Sequence, residues 1–98
     1  MAFTYIHEFD VGADRSTANY DAIGERMRLD ENPPEGLILH AAGFHGGKFQ
    51  MIEIWESAEH QQRFERERLM PAVLEVAGES GTAPTTHSYE LHNLIARS

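Results

Sequence analysis

Six histidines stand in a chain of 98 residues that has one tryptophan and no cysteine. Imidazole gives and takes protons near neutral pH, so the first question is which of the six has a partner. The sharpest pairing comes from a turn. Gly46-Gly47 is a two-residue hairpin signal, because two glycines adopt the positive φ angles of a tight turn. That turn pairs His45 with Lys48. Counting back puts Phe44 opposite Phe49, Ala42 opposite Met51, His40 opposite Glu53 and Ile38 opposite Trp55, all on one sheet face. The other face carries Leu37, Leu39, Ala41, Ile52 and Ile54. A carboxylate beside an imidazole orients the ring, fixes its tautomer and favours its charged form. His40 with Glu53 therefore has the makings of a general base for a phenol or an activated carbon. The plain alternative is a buried polar pair that fixes strand register.

The remaining candidates are weaker. His7 lies mid-strand between Tyr5 and Phe9 and is a second catalytic candidate, although sequence leaves open which face it shares. His87 and His92 fall on opposite faces of the last strand, so one of them at most enters the same cavity; His92 is taken as a binding candidate. His45 and His60 are expected in solvent. Trp55, Tyr5, Phe44, Met51, Tyr20 and Phe64 are the candidate apolar lining, with ordinary core packing as the rival role for each. No His pair shows the i, i+4 spacing of a helical metal site, so no metal is expected. A single axial His for haem is the one cofactor alternative, and the main expectation is no cofactor. There is no Gly-rich phosphate cradle, since Gly43 to Gly47 joins two strands rather than opening a helix. There is no Gly-x-Ser-x-Gly elbow, and no cysteine nucleophile.

Composition narrows the partners. Eight basic against sixteen acidic residues give a formal charge of −8, a poor match for a phosphate backbone, so no nucleic acid is expected. No apolar run approaches the roughly 20 residues of a membrane span. The opening residues lack the basic and apolar regions of a signal peptide, so a cytoplasmic location is expected. The length suits one small domain, residues 1–98.

The elements that must position these residues follow from the punctuation. Phe3 to Phe9 alternates as a strand, and a helix carries Tyr20, Ile23 and Met27 on one face until Asn32-Pro33-Pro34. Strands follow over Leu37 to His45 and Lys48 to Glu56. Ser57 caps a long helix from Ala58 to about Ala77, which Pro71 should kink or break near Leu69-Met70. Thr85 to Ile95 reads as the last strand. The order βαββαβ is the ferredoxin-like, α+β pattern: an antiparallel sheet with two helices on one face. The other face is left open and partly apolar, which predicts a homodimer.

The segments Gly36 to Gly43, Ile54 to Ser57, Phe64 through Pro71 and His92 to Ile95 resemble the dimeric α+β barrel superfamily. Within it they are similar to the small proteins grouped with antibiotic-biosynthesis monooxygenases. The resemblance implies a pocket between helices and sheet, and a small aromatic or polyketide-like substrate. The superfamily also includes cofactor-independent monooxygenases, and joined to the hairpin reading this makes His40 the base, Glu53 the residue orienting it and Trp55 the wall. The alternatives are a polyketide cyclase or isomerase using the same base, or a non-enzymatic binding or assembly module.

Overall fold

The structure is a computed structural model that describes residues 1–78 and 83–96. Its strands are β1 (Phe3–Asp10), β2 (Leu37–His45), β3 (Lys48–Trp55) and β4 (Thr85–Glu90). Its helices are α1 (Ala18–Met27), α2 (Ala58–Phe64) and α3 (Met70–Ala77), with a π-helical turn, Glu65–Leu69, joining the last two. The strands form one antiparallel sheet in the order β2-β3-β1-β4, the ferredoxin-like α+β arrangement expected from the element order.

The hairpin obeys its turn. Gly46 and Gly47 have φ of 55° and 77°, and His45 pairs with Lys48. The predicted register then holds through Phe44–Phe49, Ala42–Met51 and His40–Glu53. It departs at the far end, where an irregularity between Leu37 and Leu39 places Leu37, not Ile38, opposite Trp55. A bulge of this kind inserts one residue and exchanges faces beyond it. Leu37 accordingly packs against the core, and Ile38 is exposed.

That core is small. Tyr5, Trp55 and Phe64 form its buried centre, with Phe3, Met27, Leu29, Leu37 and Leu69 packed around it. It ties β1 and β3 to the helices on one sheet face. The rest of the wrapping depends on two local devices. Ser57 caps α2 as expected, its Oγ accepting from the His60 N–H at 3.2 Å. Arg68 closes the end of α1 by donating to the Met27 and Asn32 carbonyls at 2.6 and 2.8 Å.

Pro71 acts where expected, the helix changing geometry at Leu69-Met70. It lies in the first turn of α3, where a missing N–H is tolerated, and the preceding turn widens to π geometry. A wider turn gives the proline ring room beside the carbonyl four residues back. The helix is thus interrupted rather than sharply broken. The last strand is shorter than predicted, ending at Glu90 instead of Ile95. The predicted loop from Gly78 to Pro84 falls partly outside the described residues.

Candidate active site

Strand pairing decides the question of His7. Tyr5 pairs with Glu53 and His7 with Met51, while His40 pairs with Glu53 from the other side. Directly paired residues share a face, so His7, His40 and Glu53 converge on the helix-covered side of the sheet. β3 lies between β1 and β2, which makes Glu53 the hub.

Its carboxylate has three neighbours. His40 Nδ1 lies 3.1 Å from Oε2, and the Trp55 indole N–H donates to Oε1 at 3.1 Å. His7 Nε2 lies 3.6 Å from the same Oε1. Trp55 reaches the carboxylate because it sits two residues along β3 on the same face. Burial pushes the Glu53 pKa up, but the contacts with His40, His7 and Trp55 outweigh this and hold it down to about 2. The carboxylate is therefore ionised and can only accept. The site's side chains grade outward: exposure is 11% at Glu53, 14% at His7 and 28% at His40.

The network extends beyond these three. Tyr20 Oη lies 2.6 Å from His40 Nε2, and Thr86 Oγ1 lies 2.9 Å from His7 Nδ1. Since Nδ1 of His40 faces a carboxylate, it carries the proton, and neutral His40 accepts from the Tyr20 hydroxyl at Nε2. Burial, then the charges of Glu53 and Asp21, raise the Tyr20 pKa, which keeps that hydroxyl protonated. The Tyr20 ring is set by α1 and meets the Phe49 ring edge-on, with centroids 5.1 Å apart.

The other predicted residues separate into three groups. Trp55 has 0% exposure, and Tyr5 and Phe64 are also buried in the core. These three were candidate lining, yet Trp55 presents no free ring face on which a substrate could stack. Phe44 and Met51 lie on the His40 face, with Phe44 against Phe49 at 5.0 Å and under the Arg15 guanidinium at 4.9 Å. His92 is not brought to the site: β4 ends before it, and it is exposed. His87 pairs with Ile6 on the opposite face. His60, expected in solvent, is half-buried, with its Nδ1 2.7 Å from Ser57 Oγ.

Two shallow concavities among the described residues are not lined by His40 itself. One is between α1 and α3, beside Met27, Arg68 and Ala72; the other lies along β2 and β3, beside Ala41, Phe44 and Ile52. Tyr20 occupies the position above His40 Nε2. Among the described residues, no group of three His, Asp or Glu side chains is placed to hold a metal ion.

The Tyr20 and Thr86 contacts were not foreseen. Tyr20 sits on a helix and Thr86 on the last strand, and nothing in their local sequence aims them at a histidine. The Trp55–Glu53 bond had a signal in the i, i+2 alternation of β3.

Comparisons with solved structures agree with this architecture. A cofactor-independent oxygenase of Streptomyces nogalater, SnoaB, is 13% identical with a TM-score of 0.65, and the match covers 98% of each chain. Rv0793 of Mycobacterium tuberculosis is 12% identical with a TM-score of 0.71, over 98% of this chain and 100% of its own. A protein of Chloroflexus aurantiacus J-10-fl, provisionally assigned as an antibiotic biosynthesis monooxygenase, is 13% identical with a TM-score of 0.69, over 98% of each chain. No family model and no curated protein matches the sequence. The chain has the fold of the antibiotic-biosynthesis-monooxygenase-like proteins, and at these identities the likeness speaks to fold alone.

Proposed function

We propose that the protein is a cofactor-independent enzyme acting on a small aromatic or polyketide-like molecule, in the manner of a monooxygenase. The observation that carries this reading is the Glu53 carboxylate, ionised and nearly buried, bonded to Nδ1 of a half-exposed His40. His40 is the base, Glu53 orients it and stabilises the imidazolium, and His7 supports Glu53 from the far side. Deprotonation of a phenolic substrate gives an electron-rich anion able to react with O₂ without a bound cofactor. Phe44 and Met51 supply the neighbouring apolar surface. The test is O₂ uptake with an electron-rich hydroxyarene. The wild type should consume both, and His40→Ala should reduce turnover by about 100-fold. A changed carbon skeleton under argon, without uptake, supports a cyclase or isomerase using the same base.

The closed position of Trp55 favours a second reading, a non-enzymatic binding or assembly module. Unaltered hydroxyarene under both air and argon supports that reading. A homodimer belongs to the proposal in either case. The open sheet face presents exposed Leu39 and Ile52 beside Ile54 and Ala41, as expected of a surface covered by a second copy. The cytoplasmic location is likewise part of the proposal and rests on the sequence; no described helix is long and apolar enough to cross a membrane.

A further inference from the structure

The base of the proposed site already has a partner at each ring nitrogen. His40 has two ring nitrogens, and both are engaged: Nδ1 with Glu53 at 3.1 Å and Nε2 with Tyr20 Oη at 2.6 Å. Either Tyr20 moves aside, or the proton reaches His40 through it.

The geometry favours passage through the hydroxyl. Tyr20 stands in the first turn of α1, its ring held edge-on by Phe49 at 5.1 Å and its plane 17° from that of His40. The ring is thus fixed at both its body and its tip. Its oxygen, while donating to Nε2, retains lone pairs that can accept from a substrate. Tyr20 and His40 also lie at the more exposed end of the network, whereas Glu53 and Trp55 lie at the closed end. The Tyr20 oxygen covers Nε2, the one ring nitrogen that Glu53 leaves free for a substrate.

We propose that Tyr20 is the proton-relaying residue of this site: an acidic substrate O–H or C–H passes its proton to Tyr20 Oη as the Tyr20 O–H proton passes to His40 Nε2. One substrate bond to hydrogen breaks and its electron pair stays on the substrate. The Tyr20 O–H bond is exchanged for a new one, and an N–H bond forms at His40. The products are a substrate anion and an imidazolium whose other N–H faces the Glu53 carboxylate, with Tyr20 neutral before and after. No oxidant enters this step. The inference rests on His40 being the base, and adds which atom the substrate meets.

The test uses anthrone, a carbon acid whose conjugate base is coloured, with its ionisation followed in wild type and Tyr20→Phe under argon. The variant keeps the ring that packs on Phe49 and removes the relaying oxygen alone. Wild type should accelerate ionisation with a curved proton inventory in H₂O/D₂O mixtures, because two protons move together. Tyr20→Phe should lower kcat by 10- to 100-fold with KM little changed, and its residual rate should give a linear inventory. A linear wild-type inventory, or Tyr20→Phe turning over as fast as wild type, overturns the relay and leaves His40 as a direct base. Absence of any acceleration by wild type overturns the base assignment and the relay with it. Should the variant fail to fold, the wild-type inventory decides.

Discussion

Glu53 is where stability and chemistry meet. Its folded pKa of about 2 lies below the ordinary 4.5. A lowered carboxylate pKa stabilises the fold fully above the unfolded value and loses that contribution as pH falls through the folded value. The contribution is on the order of 3 kcal/mol, and it should vanish between pH 4.5 and about 2. Glu53→Gln should therefore lower Tm at neutral pH and flatten the acid limb of the stability curve in that window. Urea midpoints measured against pH check this, and parallel curves for the two proteins would refute it. This residue was legible from sequence because a Gly-Gly turn fixes alternation for several pairs on either side. The rest of the network around it was not. Tyr20, His7 and Thr86 arrive from α1, β1 and β4, and their meeting depends on how those elements dock rather than on their local spacing.

Two elements show where sequence patterns run out. The β2 bulge has no glycine or proline to announce it; it places Leu37 in the core beside Trp55. The π-helical turn was legible only as a disturbance near Pro71, because widening of the preceding turn is a tertiary response to the proline. Gly36, by contrast, has a definite constraint. Its φ is 86°, and a Cβ there would collide with the His60 ring. Gly36→Ala should destabilise the fold by about 2 kcal/mol, combining backbone strain with the steric clash. Adding His60→Ala should recover the clash but leave the backbone strain. A denaturation cycle measures both, and full additivity of the two changes would rule out the contact as the cause.

For the whole molecule, element order carried the architecture and left its outer face unexplained. The open side exposes Leu39 and Ile52, with Ile38 also exposed on β2. If a second copy covers this face, wild type should sediment at twice its 11.1 kDa chain mass at micromolar concentration. Leu39→Asp should sediment at the single-chain mass with Tm measured at high dilution little altered, since it changes an exposed side chain of the isolated fold. A monomeric wild type would end the dimer proposal. The buried Trp55 has one more consequence. It is the sole tryptophan, fully enclosed, with its indole N–H on the Glu53 carboxylate. The chain thus contains a single indole fluorophore, hydrogen-bonded to the carboxylate that His40 and His7 also face. Its emission reports unfolding and the electrostatic state of the site from one position, with no label added.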